Sequence, residues 1–276
     1  MIQNELRGIC SSALAKNAGW MMAGQIAGYV LQGIYFVLIA RLLGAVSYGI
    51  FVGAFAFVNL VARYGTLGTG TVFLRYVSID RKTFSYYWGN ILVVTTIGGI
   101  GMTLLLHVIG ARILNPASAA IVLLAALANC LGSQVTTCAA LVFQAAEQMR
   151  TTAILNLLTN FLRTLAAAML LVFYHRIGAW EWAMTSMIVS LIGSAVAIGV
   201  ILAHFGKPRF SLGLLHSRLV EGVEFAFASS TTSAYNDLDK AMLSHYSMNA
   251  ANGIYTLAYR AIDIATMPVN SLAAFM

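Results

Sequence analysis

Charge is scarce in this chain: Asp, Glu, Lys and Arg make up 9% of it, where soluble domains carry roughly a quarter. With 60% hydrophobic residues and a mean hydropathy of +0.82, that scarcity excludes a soluble globular protein and marks an integral membrane protein. Cysteine is nearly absent too. Cys10, Cys130 and Cys138 show neither disulfide pairing logic nor zinc-ligand spacing. Cys130 and Cys138 lie in an apolar run and read as small packed hydrophobes. A cleavable signal peptide is also missing, because Met1 to Asn17 carries Glu5, Arg7 and Lys16 without a clear apolar stretch. The first helix is expected to serve as the insertion signal. There is no Ser/His/Asp or Cys/His grouping, and no histidine has a ligand partner at i+4, so no catalytic residue and no metal ligand is assigned. The chain reads as a non-enzyme without a cofactor. The formal charge of +7 comes from 16 basic against 9 acidic residues. Those basic residues are scattered between apolar runs, which is the pattern of membrane topology rather than of nucleic-acid binding.

What is present is a series of long apolar runs. Tyr35 to Phe55 holds the end of one run, a sharp break and the start of the next. Arg41 closes the first, Leu42-Leu43-Gly44 and Ser47-Tyr48-Gly49 turn the chain, and Gly49-Ile50-Phe51 reopens a helix. This predicts a hairpin between two spanning helices. A hydrocarbon core of ~30 Å takes about 20 apolar residues. On that ruler eight spans are expected, near residues 18–40, 48–74, 86–109, 118–142, 152–174, 180–203, 219–245 and 251–276. The runs are too long and too uniformly apolar for barrel strands, which alternate over about ten residues. The expected fold class is all-α, a polytopic membrane protein of about eight transmembrane helices. Aromatic residues open the third span (Tyr86-Tyr87-Trp88) and the sixth (Trp180, Trp182), where amphipathic rings favour the interface.

Basic residues give the orientation. One set of span ends holds Arg7, Lys16, Arg75, Arg81, Lys82, Arg150, Lys207, Arg209 and Arg218; the opposite set holds Arg41, Arg112 and Arg176. Nine against three puts both termini in the cytoplasm for an even number of spans. A fainter copy of the first hairpin recurs near the other end, shifted by 204 residues (253 − 49 = 204). Gly49, Ile50 and Ala54 then meet Gly253, Ile254 and Ala258, and Phe51 and Phe55 meet Tyr255 and Tyr259. Six spans per copy is even, so the copies would be parallel repeats about an axis along the membrane normal. The expected division is a complete first six-helix lobe over 1–205 and a partial second lobe of two helices over 206–276, with His204 to Arg209 as the polar junction. A full second copy would reach about 408 residues (2 × 204), so the second lobe is expected to be cut off.

Charged residues inside the bilayer rank first as functional candidates, since each costs on the order of 2.5–3.5 kcal/mol at a helix centre. Arg163 lies ~16 Å into the fifth span and Arg260 ~13 Å into the eighth, both beyond easy snorkelling. Arg63, ~22 Å into the second span, is near enough to the cytoplasmic face to snorkel. Arg260 has Asp263 at i+3 as a local partner. Arg163 has no acid within one turn, so it needs a partner from another helix, from water or from a ligand. Asp237, Asp239 and Lys240 near the outer end of the seventh span read as a structural ion-pair group; as a DxD metal site they would need a watery domain that this chain lacks. Glu221 and Glu224 read as a solvated patch. The Gly/Thr-rich stretch Tyr64 to Thr71 predicts a bend or an unwound turn facing protein or a cavity, or close helix packing.

Lys16-Asn17 before the first helix, ARLLGAVSYGIF at 40–51, and Gly65 through Arg75 resemble the start of bacterial polysaccharide flippases. Asp239-Lys240 followed by GIYTLAYR at 253–260 is similar to the opening of their second lobe. These are the O-antigen and exopolysaccharide exporters of the multidrug/oligosaccharidyl-lipid/polysaccharide superfamily, active in surface polysaccharide and lipopolysaccharide assembly at the inner membrane. The resemblance implies two six-helix lobes around a cavity that opens alternately to each side. The cargo it implies is an undecaprenyl-pyrophosphate-linked oligosaccharide, its diphosphate and sugar held by basic residues while the tail stays in membrane lipid. Carried over by position, Arg63, Arg75 and Arg260 join Arg163 as cavity candidates, and Asp237, Asp239, Lys240 and Asp263 are structural or coupling candidates. A further polypeptide supplying the missing helices is an expected partner. The rival readings are a drug or toxin extruder of the same superfamily, a membrane-embedded polysaccharide polymerase or ligase, and an inactive gene fragment. An enzyme of that kind would show a large outward loop with clustered Arg and His, and the outward loops here are short.

Overall fold

Long apolar runs with few breaking residues form long helices, because a spanning segment must satisfy its own backbone. In the computed structural model, residues 2–78 and 83–273 are described, with the side chains of 19–78, 83–260 and 262. Among them every regular element is a helix. The first, α1, runs Ile2–Ala62. A 3-10 turn, Arg63–Thr66, follows it and leads to α2, Thr69–Val77. Next come α3, Phe84–Ile113, and the rod made of α4, Pro116–Ala126, a π-helical segment, Leu127–Ser133, and α5, Gln134–Ala145. The rest are α6, Met149–Tyr174, α7, Ala179–Phe205, α8, Leu212–His245, and α9, Asn249–Ala273.

The expected hairpin is there, in a tighter form than the sequence suggests. Within α1 only Gly44 leaves helical geometry, at φ 67° and ψ 174°. A residue with a Cβ is strained there, so glycine alone makes the bend cheaply. The chain reverses at that point. Tyr35 and Phe51 both reach Trp182, with ring centroids 5.9 and 6.2 Å away. In a straight helix they would stand ~24 Å apart.

Among the described residues, five segments are long and apolar enough to cross a membrane: Gly19–Thr66, Phe84–Ile113, Pro116–Ala145, Met149–Tyr174 and Ala179–Phe205. The first holds 48 residues and, folded back at Gly44, supplies two crossings. Helices α8 and α9, with 34 and 25 residues, are long enough to span but more polar. Some of their polar residues turn inward: Lys240, Ser244, Asn252 and Thr256 are buried. The molecule is an all-helical polytopic membrane protein. Two apolar clusters fill it, one around Ile39, Val58, Ile121 and Trp182, the other around Phe73, Trp88, Phe143 and Ile201. With lipid on the outside, close packing rather than hydrophobic driving force holds such helices together.

Polar clamps close both ends. At one, the Asn90 side chain donates to the Ser211 carbonyl and accepts from the Ser211 N–H, both at 3.0 Å, pinning the segment before α8 to α3. At the other, Asn115, the N-cap of α4, donates to the Ser244 carbonyl at 2.6 Å, and the Ser244 hydroxyl donates to Ser118 at 2.9 Å. Between the ends, α1 and α9 touch backbone to backbone. A Cβ on Gly49 would sit 1.8 Å from the Asn249 carbonyl oxygen, and one on Gly253 would sit 2.0 Å from that of Ala45. The contact is reciprocal at the shift of the sequence repeat: Gly49 pairs with Gly253, and Ala45 with Asn249 (249 − 45 = 204). Reciprocal contacts of this kind are what a two-fold relation between two copies produces.

Candidate functional site

A cavity lies where the two halves of α1 meet α6, α8 and α9. It has a volume of about 220 Å³. Its wall holds Arg163 from α6, Asp237 and Lys240 from α8, and Arg260 from α9, so three cations face one carboxylate. The 204-residue shift seen in the sequence also relates wall residues. Phe36, Val52 and Ala56 in the wall stand 204 residues before Lys240, Thr256 and Arg260, also in the wall. The early copies are apolar and the late copies polar. At the 204-residue shift the charge among these wall residues thus stands on the later of each pair.

Lys240 is almost wholly buried, with 3% of its side chain exposed. Its ammonium lies 3.2 Å from Asp237 and 3.7 Å from Asp239, and also donates to the Asn236 carbonyl. Asp237 in turn accepts from the Asn59 amide at 3.1 Å, and the Tyr255 hydroxyl donates to Asp239. This is the ion-pair group expected from the sequence; the two carboxylates are engaged with Lys240. Arg260 packs its guanidinium 5.6 Å from the centre of the Phe36 ring. Its expected partner Asp263 lies outside the residues whose side chains are described. The Arg163 Nε is buried without a hydrogen-bond partner, and no ion pair reaches the side chain among the described residues.

The two other basic candidates lie elsewhere. Arg63 lines a separate cavity of about 30 Å³ with Gln134 and Thr137. It opens the expected bend, where Leu67 and Gly68 take left-handed backbone angles. Arg75 stands on the surface with 60% of its side chain exposed, 2.6 Å from Glu221. Tyr76 donates to the same carboxylate at 2.9 Å and accepts from Arg218 at 2.9 Å. That hydrogen bond to Glu221 pushes the Tyr76 phenol up from its usual range. Glu221 therefore ties α2 to α8 at the exposed surface, its carboxylate holding two partners on the neighbouring helix.

Several polar wall residues were not singled out from the sequence. Asn59 receives a hydrogen bond from Asn129, and Gln134 reaches Asn129 at 3.5 Å, so an amide chain runs from the π-helical segment to Asp237. π segments are rare and frequent at functional sites. Gln32, Asn160 and Thr164 complete the polar part of the wall. The available signal was spacing: Asn156, Asn160, Arg163 and Thr164 fall on one face of α6.

Residues 14–275 match the family of polysaccharide biosynthesis proteins. The chain belongs to that family. Its fold resembles that of the MATE multidrug transporter DinF-BH, at 17% identity and a TM-score of 0.67, over 93% of this chain and 62% of that one. A second solved chain, protein A, matches with 15% identity, a TM-score of 0.67 and the same coverage. This member of the family thus spans 62% of the length of the solved chains it matches. No curated protein matches it. Every residue of the large cavity lies inside the stretch that carries the family match.

Proposed function

We propose that this chain is part of a flippase that moves an undecaprenyl-pyrophosphate-linked oligosaccharide outward across the inner membrane, and that the large cavity holds the diphosphate. The observation that carries the reading is Arg163, a half-buried guanidinium beside Lys240 and Arg260 with no hydrogen-bond or ion-pair partner among the described residues. A guanidinium meets a phosphate through two parallel N–H donors, which is why arginine suits this task better than lysine. Desolvated surroundings strengthen the attraction. An arriving phosphate would compete with Asp237 for Lys240, which gives the cavity a way to register its load. Both termini are assigned to the cytoplasm, following the basic residues. A cationic drug is the poorer cargo, because three cations against one carboxylate repel it.

The test is binding of undecaprenyl pyrophosphate to the purified 276-residue chain, measured by native mass spectrometry alongside Arg163→Lys and Arg163→Gln. The parent should bind, the lysine variant several-fold more weakly, and the glutamine variant at least ten-fold more weakly at unchanged thermal stability. Equal binding by the parent and Arg163→Gln would remove the cargo role and leave a structural one.

A further inference from the structure

Beside the cationic cavity runs a second cavity of about 200 Å³, between the first half of α1 and α6. The two share Gln32 and Asn160 in their walls, so they adjoin. Away from the shared residues the second is lined by Gln25, Gly28, Tyr29 and Asn156. No charged residue lines it among the described residues. Helix periodicity places Gln25, Tyr29 and Gln32 on one stripe of α1 and Asn156 and Asn160 on the facing stripe of α6. The helices run parallel and touch where a Cβ on Gly24 would meet Ala153 at 2.7 Å, and where Thr164 donates to the Leu31 carbonyl at 3.4 Å. The slot opens beside that seam. From Met21 to Gln32 it follows ~17 Å of helix.

Amides facing each other in a membrane bundle usually bond across the interface as glue. These do not. None of the side chains of Gln25, Gln32, Asn156 and Asn160 hydrogen-bonds another described residue. Four carboxamides with unused donors and acceptors therefore face an uncharged slot that ends at a cationic cavity. Each carboxamide offers two N–H groups and one carbonyl. That complements hydroxyl-bearing rings, which both donate and accept, and leaves no fixed charge to attract an ion. The Tyr29 ring adds an apolar face for the C–H side of such a ring.

We propose that the slot is a glycan subsite: it takes the uncharged sugar residues of the cargo while Arg163, Lys240 and Arg260 hold the phosphates. This rests on the reading of the cationic cavity given above. It assigns the neutral and the anionic parts of one molecule to two neighbouring walls, and separates their contributions to affinity.

The experiment compares two lipids on the purified chain: bare undecaprenyl pyrophosphate, and the same lipid carrying a neutral trisaccharide. Two variants change only residues of the slot that do not line the cationic cavity. The pair Gln25→Leu and Asn156→Leu removes amides at exposed positions. Gly28→Leu fills the slot, where a Cβ meets nothing closer than 3.7 Å. The parent should bind the sugar-bearing lipid at least ten-fold more tightly than the bare one. Both variants should lose that gain and bind the bare lipid as the parent does. If Gly28→Leu fails to fold, the amide pair decides alone. Equal binding of the two lipids by the parent, or a gain that survives in the folded variants, overturns the subsite. Failure of the parent to bind either lipid overturns the cationic cavity itself, and the subsite with it.

Discussion

Lys240 shows at the scale of one residue why burial and charge have to be read together. An ammonium with 3% of its side chain exposed is tolerable because Asp237 and Asp239 stand within 4 Å of it. Removing one partner of a buried pair costs about 3–5 kcal/mol, since the other is left without compensation, whereas replacing both by apolar groups can be neutral. Asp237→Ala should therefore lower unfolding stability in detergent by about that amount. Asp237→Leu combined with Lys240→Met should recover most of it. An Asp237→Ala protein as stable as the parent would show that Asp239 and the Asn236 carbonyl suffice. The pair was legible in the sequence because charge stands out in an apolar run. Asn59 and Asn129 were not, since a lone amide inside a span looks the same whether it faces lipid, packing or a cavity. The ion pair of Arg75 was not legible either: its partner Glu221 lies 146 residues away and carries no local mark.

At the scale of elements, the apolar runs gave helix positions closely, because a span has to be about 20 residues long. The fifth expected span, 152–174, became Met149–Tyr174, and the sixth, 180–203, became Ala179–Phe205. The π-helical turn at Leu127–Ser133 left no trace in the sequence, since one extra residue in a turn hardly disturbs an apolar pattern. The break at Gly44 was legible as a region but not as a residue. Its backbone angles make it a direct test. Gly44→Ala finds open space around the new methyl group, so its whole cost is backbone strain, about 1–3 kcal/mol. Gly199→Ala also finds open space, in ordinary helix within α7, and should be neutral or stabilising by up to about 1 kcal/mol. Thermal unfolding of the two variants side by side checks the contrast. Equal melting temperatures would mean that the fold-back at Gly44 needs no glycine.

At the scale of the whole molecule, contacts between distant segments sort the span ends into two layers. Arg75 bonds Glu221, the Arg209 N–H donates to the Ser85 carbonyl at 2.8 Å, and the Arg150 guanidinium lies 5.0 Å from the Trp20 ring centre. The first ties the C-terminal end of α2 to α8, the second ties the start of α3 to the segment before α8, and the third ties the start of α6 to α1 near Trp20. In the other layer the Ile177 N–H donates to the Leu42 carbonyl at 3.1 Å, and His245 meets the Ile113 carbonyl. That layer holds Arg41, Arg112 and Arg176, while Lys207, Arg209 and Arg218 belong to the first. The bias read from the sequence therefore corresponds to two separate ends of the folded chain. Lys and Arg gather on the cytoplasmic side of short loops, so the first layer should face the cytoplasm. Reporter fusions after Lys207 and Arg150 should give cytoplasmic signals, and a fusion after Arg176 should give a periplasmic one. The three positions test more than orientation. If all three signals were exchanged, the chain would insert the other way up with its fold intact. If Arg150 and Arg176 reported the same side, α6 would not cross the membrane. The cavity holding Arg163 would then lose the wall on which both the proposed anion site and the proposed glycan slot depend.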